Sequence, residues 1–171
     1  MLSYFGNWAY IAGIVMLFSE SDHVFMKAAL NEASNSNTFG EVPVGAVLTV
    51  GNYILSSSGN RPISSHDPTS HAEINVIRSA ARQRQNYRLT GTTLYVTLEP
   101  CIMCMGAIIQ ARVERLVFGA YDPKTGAAVS RYRIGGDGLL NHSLIVQGGL
   151  LEDECGSLLK TFFKNRRSLG G

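Results

Sequence analysis

From Glu20 to about Ser34 the apolar residues Val24, Phe25, Ala28, Ala29 and Leu30 recur three or four positions apart, so the chain opens on an amphipathic helix for which Ser21 is the expected N-cap. An Asn/Ser-rich turn at 34–38 ends it. Two apolar runs follow, 42–50 and 53–55, and the Gly51-Asn52 pair between them predicts a hairpin. The stretch 56–70 is rich in Ser, Gly, Asn and Pro and reads as a long loop, a length that in a compact domain usually serves function. Beyond it the pattern predicts a helix over 71–84, a strand over 92–98, a helix over 101–111 and a strand over 114–119. A glycine-rich loop at 126–141, a strand near 143–147 and a helix near 150–166 close the chain. Two strand-to-helix units in series predict an α/β domain with helices on both faces of a sheet. Neither an internal repeat nor a linker interrupts it, which leaves one domain over 20–168.

Residues 1–19 stand apart. They carry no charged side chain, and 14 of the 19 are apolar, long enough for a membrane-span candidate. Yet the run contains Ser3, Gly6, Asn7 and Gly13, has no Lys or Arg on either flank and lacks a small-x-small cleavage site. Met16 lies just ahead of the first helix. The expectation is therefore an upstream start or a dispensable extension, ahead of a packed interfacial segment or a true span, and no membrane partner is expected. The whole chain of 171 residues is 45% hydrophobic and 16% charged, which excludes the disordered and low-complexity classes. Its net charge of +2 is too small to mark a nucleic-acid binder by itself. Three cysteines, an odd number, argue against a secreted disulfide scaffold and for a metal or redox site in a reducing compartment.

Two short segments carry the chemistry: His71-Ala72-Glu73 and Pro100-Cys101-Ile102-Met103-Cys104, each opening a predicted helix. Cys101 and Cys104 are three apart, so in a first helical turn both sulfurs face one side, and the free N–H groups there favour the thiolates that bind metal. With His71 as third ligand the set is one nitrogen and two sulfurs, which suits tetrahedral zinc with one position open, as in catalytic sites. Glu73, two residues on, is placed to act on bound water as a general acid/base. Two other readings stay open at this point. The Cys-x-x-Cys pair could be a redox couple, or the zinc could be structural with Cys155, His66 or His142 as fourth ligand. Cys155 itself reads as a buried thiol on the last helix.

The His-x-Glu and Pro-Cys-x-x-Cys signature resembles that of the cytidine-deaminase-like zinc deaminases. More narrowly, the chain resembles the bacterial tRNA-specific adenosine deaminases. That narrower likeness rests on the segments Glu41 to Val47, Asn60-Arg61-Pro62, His66 to Glu73, Asn86 to Leu89, Thr93 to Cys101, Val117 to Ala120, Asp122 to Ala128 and Asn141-His142. The resemblance implies a three-layer α/β/α fold around a mixed sheet of about five strands. It also implies hydrolytic deamination of the wobble adenosine of a tRNA anticodon to inosine, by a homodimer in the cytoplasm. One zinc ion per subunit would be held by His71, Cys101 and Cys104, with Glu73 shuttling the proton. Asn60 would contact the nucleoside, and Val44 and Ala72 would wall the pocket. A zinc deaminase of free bases or nucleosides is the second reading. A non-catalytic RNA-binding subunit with a structural zinc is the third, and Glu73 argues against it because a structural site has no need of that carboxylate.

The partner implied is a tRNA anticodon stem-loop, whose target base must be splayed out while the protein holds the backbone. Cationic side chains beside aromatics are the candidates for that grip. Arg131 and Arg133 flank Tyr132 on the late loop, and Phe163, Lys164, Arg166 and Arg167 lie in a tail that has no acid after Lys160. The resemblance adds Asp122 and Lys124. Against this, Phe162 and Phe163 read equally as core, and Arg78, Arg82 and Arg84 read as a solvated helix face or a subunit contact.

Overall fold

The computed structural model describes residues 18–136 and 138–169. The charge-free opening run lies outside them except for Phe18 and Ser19. Five helices and five strands follow one another as α1 (Glu20–Thr38), β1 (Gly45–Val50), β2 (Tyr53–Gly59), α2 (Pro62–Ser65), α3 (Ala72–Arg84), β3 (Thr92–Leu98), α4 (Ile102–Gln110), β4 (Arg115–Ala120), β5 (Ile145–Gly148) and α5 (Glu152–Leu169).

The strands form one mixed sheet in the order β2-β1-β3-β4-β5. β1 is antiparallel to β2 and β3, whereas β3, β4 and β5 run parallel. Strict alternation along the strands divides the core. Ala46, Leu48, Leu94, Val96, Leu116 and Phe118 face α3 and α4, and Val47, Tyr95 and Val117 face α1 and the start of α5. β3 and β4 are consequently buried along almost their whole length, as parallel strands covered on both faces must be. The expected three-layer α/β/α arrangement with five strands is the one observed.

Three local expectations are corrected. The N-cap of α1 is Ser19, not Ser21. Ser19 Oγ accepts from the Asp22 N–H at 3.1 Å while Asp22 Oδ2 accepts from the Ser19 N–H at 2.9 Å, a reciprocal box that only position 19 can close. α1 also runs on to Thr38 through weak helix formers, because it is docked on the sheet. A Cβ at Gly45 would overlap Ala29 O and Ala33 N, and one at Gly59 would overlap Ser36 Oγ and Glu32 O, so these glycines let the helix lie against β1 and β2. Finally, the expected loop from 56 begins as strand. Ser56, Ser57, Ser58 and Gly59 pair with Leu48, Val47, Ala46 and Gly45, and Ser56 Oγ donates to Val76 O at 2.9 Å.

One buried ion pair ties the layers together. Asp22 of α1 accepts from Arg115 of β4 at 2.7 and 3.0 Å and from the Tyr95 hydroxyl of β3 at 2.6 Å. Burial alone would raise the Asp22 carboxyl pKa, but Arg115 and Tyr95 outweigh it and hold it far below the ordinary carboxylate range. A carboxyl depressed in the folded state stabilises above its unfolded pKa, and that contribution is lost as pH falls through the lower folded value. Asp22→Asn should therefore cost about 2–3 kcal/mol near neutrality, because it leaves a half-buried guanidinium without its counter-charge. The gap in thermal midpoint between parent and variant should stay constant above about pH 5 and narrow towards pH 3. A gap independent of pH in calorimetry would refute this account.

Candidate active site

Two helix starts on the same face of the sheet build the site. His71 stands at the N-cap of α3 and Cys101 at that of α4, both with extended backbone and neither with a side-chain capping hydrogen bond. The side chains turn toward each other instead. His71 Nδ1 lies 3.8 Å from Cys101 Sγ and 3.5 Å from Cys104 Sγ, and the two sulfurs are 3.7 Å apart. A tetrahedral zinc with ordinary bond lengths would set sulfur to sulfur at about 3.8 Å and sulfur to nitrogen at about 3.6 Å. The three ligand atoms thus fit one zinc ion with a fourth position left for water.

Among the described residues, this is the group of metal-ligating side chains that converges. The candidate fourth ligands lie elsewhere. Cys155 is buried with the α1-side core, its sulfur against Gly119. His142 Nε2 bonds Val113 O at 2.7 Å. His66 terminates α2 in a left-handed conformation. A structural zinc with four protein ligands is therefore not what the geometry supports, and a histidine at ligand distance from both sulfurs is more than a redox pair requires.

The electrostatics favour metal capture. The Cys101 thiol is pulled down to about 4, chiefly by the Cys104 thiol donating to it and also by His71, against the cost of burial. The Cys104 thiol is pushed up because Cys101 takes its hydrogen and because it is buried. One proton is thus held between two sulfurs and is displaced when a cation binds. Glu73 lies in the first turn of α3 and is 4% exposed; burial raises its pKa, while a backbone hydrogen bond, His71 and the Cys104 thiol pull the other way. A buried carboxyl of this kind can take up and return a proton at neutral pH.

Asn60, Val44 and Ala72 are joined by hydrogen bonds. Asn60 Oδ1 accepts from the Ala72 N–H at 2.9 Å, and the Asn60 N–H donates to Val44 O at 2.9 Å. The amide oxygen and the Ala72 N–H are spent on each other. Asn60 Nδ2 has no partner among the described residues. Val44 is 5% exposed, whereas Ala72 is fully buried with its N–H spent on Asn60, so the expected place for Ala72 in the pocket wall is corrected: it belongs to the core.

The cationic candidates separate into two groups. Lys124, Arg131 and Arg133 are exposed on the 121–134 loop, which crosses the ligands through a bridge between Cys101 and Gly126 and a bond from Ala127 N–H to Pro100 O at 2.8 Å. Asp122 shapes that loop: its carboxylate accepts from the Lys124 and Thr125 N–H groups at 2.9 and 3.2 Å. Phe163, Lys164, Arg166 and Arg167 are exposed on α5, which packs on the α1 side of the sheet. Phe162 is buried there, under the Arg166 guanidinium 5.5 Å from its ring centre, so the two phenylalanines divide between core and surface.

Two glutamates escaped the sequence reading as structural anchors. Glu99 is 2% exposed and accepts from the N–H groups of Asp122, Val129 and Ser130 at 3.0, 2.8 and 2.8 Å and from the Ser130 hydroxyl. Burial raises its pKa, but these bonds prevail and keep it ionised. Glu41 is likewise buried and accepts from Ile63 and Ser64 N–H at 3.2 and 2.7 Å, fixing the start of α2. Their positions, just ahead of Val-Pro-Val and of Pro-Cys, were the available signal.

Comparison with known proteins agrees with this geometry. The cytidine and deoxycytidylate deaminase zinc-binding region matches residues 19–120. The tRNA-specific adenosine deaminase of Haemophilus influenzae is 50% identical over 150 residues, 87% of each chain. That of Bacillus subtilis is 42% identical over 146 residues, 85% of this chain and 91% of its own. A structure solved in studies of A-to-I editing by tRNA:A34 deaminases at the wobble position of transfer RNA superposes with a TM-score of 0.77. It is 46% identical, covering 80% of this chain and 99% of its own.

Proposed function

The chain belongs to the tRNA-specific adenosine deaminases, within the cytidine and deoxycytidylate deaminase family, and on that premise we propose that it converts the wobble adenosine of a tRNA anticodon to inosine. The observation that carries this reading is the meeting of the α3 and α4 starts, which sets a buried carboxylate beside three ligands spaced for zinc. His71, Cys101 and Cys104 would hold the zinc ion, which when bound would supply an acidified water as the nucleophile. Glu73 takes the proton from the nucleophile and delivers it to the purine nitrogen beside the reacting carbon. The proton of the hydroxyl now attached to that carbon passes through the same carboxylate to the amino group, the carbon–nitrogen bond breaks, ammonia departs and the ring keeps the oxygen as a carbonyl. Asn60 Nδ2 donates to the nucleoside, and the Val44 side chain packs against it.

Lys124, Arg131 and Arg133 hold RNA phosphates close to the zinc, and the exposed tail of α5 adds Phe163, Lys164, Arg166 and Arg167. Two copies of the chain form the working unit. In support, Ile102 and Met103 on α4 and Val129 on the neighbouring loop are 51%, 36% and 40% exposed, apolar surface that a second copy would cover. The cytoplasm, where tRNA is present and thiols stay reduced, suits the substrate and the three free cysteines. Among the described residues no helix is long and apolar enough to cross a membrane.

The test is inosine formation on an anticodon stem-loop, compared with free adenosine, cytidine and guanine. Inosine at the wobble position with negligible turnover of the free compounds is expected. Turnover of a free base with the RNA untouched would overturn the reading in favour of the free-base alternative. A solution mass of twice 18.6 kDa is expected, and a monomer at working concentration would overturn the assembly.

A further inference from the structure

We propose that a groove along the outer face of α3 holds the phosphodiester backbone of RNA leaving the catalytic site, an inference that rests on the reading above. The groove has a volume of about 480 Å³ and is lined by three guanidinium groups, Arg61, Arg78 and Arg82, with Asn75, Ser79 and Gln83 between them. No carboxylate lines it. Arg78 is held by Asp67 at 3.3 Å and by the Thr69 hydroxyl at 3.3 Å. Arg61 and Arg82 form no ion pair among the described residues. Arg61 also feels the charge of Glu41, which leaves Arg82 as the lining cation with no carboxylate set against it among the described residues, and an anion in the groove is attracted to all three guanidinium groups.

The placement selects the anion. Asn75, Ser79 and Arg82 are spaced by four and three, so they form one stripe along the helix, about 10 Å from first to last. A stripe of that length suits a chain of phosphates better than a single ion. Its near end is joined to the active site. Arg61 follows Asn60, whose side chain holds the Ala72 N–H, and the Arg61 N–H itself bonds Ser70 O at 2.9 Å. Asn75 is two residues beyond Glu73 and donates to Gly59 O and Ser70 O at 3.1 and 3.3 Å. The wall of the nucleoside pocket and the floor of the groove are therefore two sides of one hydrogen-bonded junction. A base inserted beside Glu73 leaves its flanking backbone outside, where Arg61, Arg78 and Arg82 line the groove while Asn75, its amide hydrogens already spent, fixes the junction. Arginine forks with Ser and Gln between them are the groups that grip phosphate oxygens. This assigns Arg78 and Arg82 a partner, in place of the solvated face or subunit contact that the sequence suggests.

The test uses the full chain with zinc and an anticodon stem-loop. Arg82→Glu should raise KM about tenfold and Arg82→Gln about threefold, and each should lower the slope of log KM against log salt by about one, as for loss of one phosphate contact. The kcat at saturating RNA, the zinc content and the solution mass should match the parent. Lys27→Glu on α1, an equal change of net charge away from the groove, should leave KM within about twofold. Equal effects of the Arg82 and Lys27 reversals, or unchanged KM in both Arg82 variants, would overturn the proposal. A fall in solution mass on changing Arg82 would also overturn it, marking the groove as a contact between copies. A parent protein that forms no inosine in the stem-loop would instead defeat the underlying reading, which keeps the two failures distinct.

Discussion

Glu73→Gln should lower kcat on an anticodon stem-loop by about a thousandfold, inside the range spanned by general acid-base catalysis, while one zinc per chain is retained. Glutamine keeps the shape and the hydrogen-bonding reach of the side chain but can neither take up nor return a proton. KM should change little, because the proposed contacts of Asn60 and Val44 with the nucleoside are untouched. The thermal midpoint should hold or rise, since burial already disfavours the charged form of this carboxyl. Single-turnover kinetics together with metal analysis check all three points. A variant within tenfold of the parent, with its zinc in place, would remove Glu73 from the mechanism.

The second large effect is expected at the ligands. Cys104→Ala leaves a histidine and one sulfur, so zinc affinity should fall by well over a hundredfold, more than changes behind a ligand set typically produce. Activity should drop below detection and the thermal midpoint should fall, because metal binding and folding are coupled. Cys155→Ala is the matched control. Its sulfur packs against Gly119 on the opposite side of the sheet, so this change should reduce stability and leave zinc content and turnover intact. Loss of zinc in both variants would mean that general unfolding, not ligation, governs metal retention.

The sequence announced the metal centre because its chemistry is local. Cys101 and Cys104 share one helical turn, and His71 and Glu73 share another, so residue type and spacing alone carried the signal. β3 was readable for a similar reason, since Leu94-Tyr95-Val96 flanked by β-branched threonines is a local pattern that favours a strand covered on both faces. What stayed hidden depended on partners far along the chain. Glu99 and Glu41 look like surface carboxylates until the N–H groups of Asp122, Val129 and Ser130, or of Ile63 and Ser64, are seen to converge on them. The second half of β2 was hidden too, because its serines have low strand propensity and are held by pairing with β1. The end of α1 ran past its expected stop for the same kind of reason, contact with Gly45 and Gly59 overriding weak local preference.

The Glu99 clamp has an implication for how this enzyme can diversify. Apart from the Ser130 hydroxyl, it grips main-chain hydrogens, and every residue except proline supplies one. The pose of the 121–134 loop is therefore insulated from the identity of most side chains it displays. Lys124, Arg131, Tyr132 and Arg133 can be exchanged without disturbing Cys101, so the loop surface is free to drift while the ligand set stays fixed. The loop behaves as an interchangeable faceplate bolted to an invariant chassis, and libraries built at those four positions should retain zinc throughout.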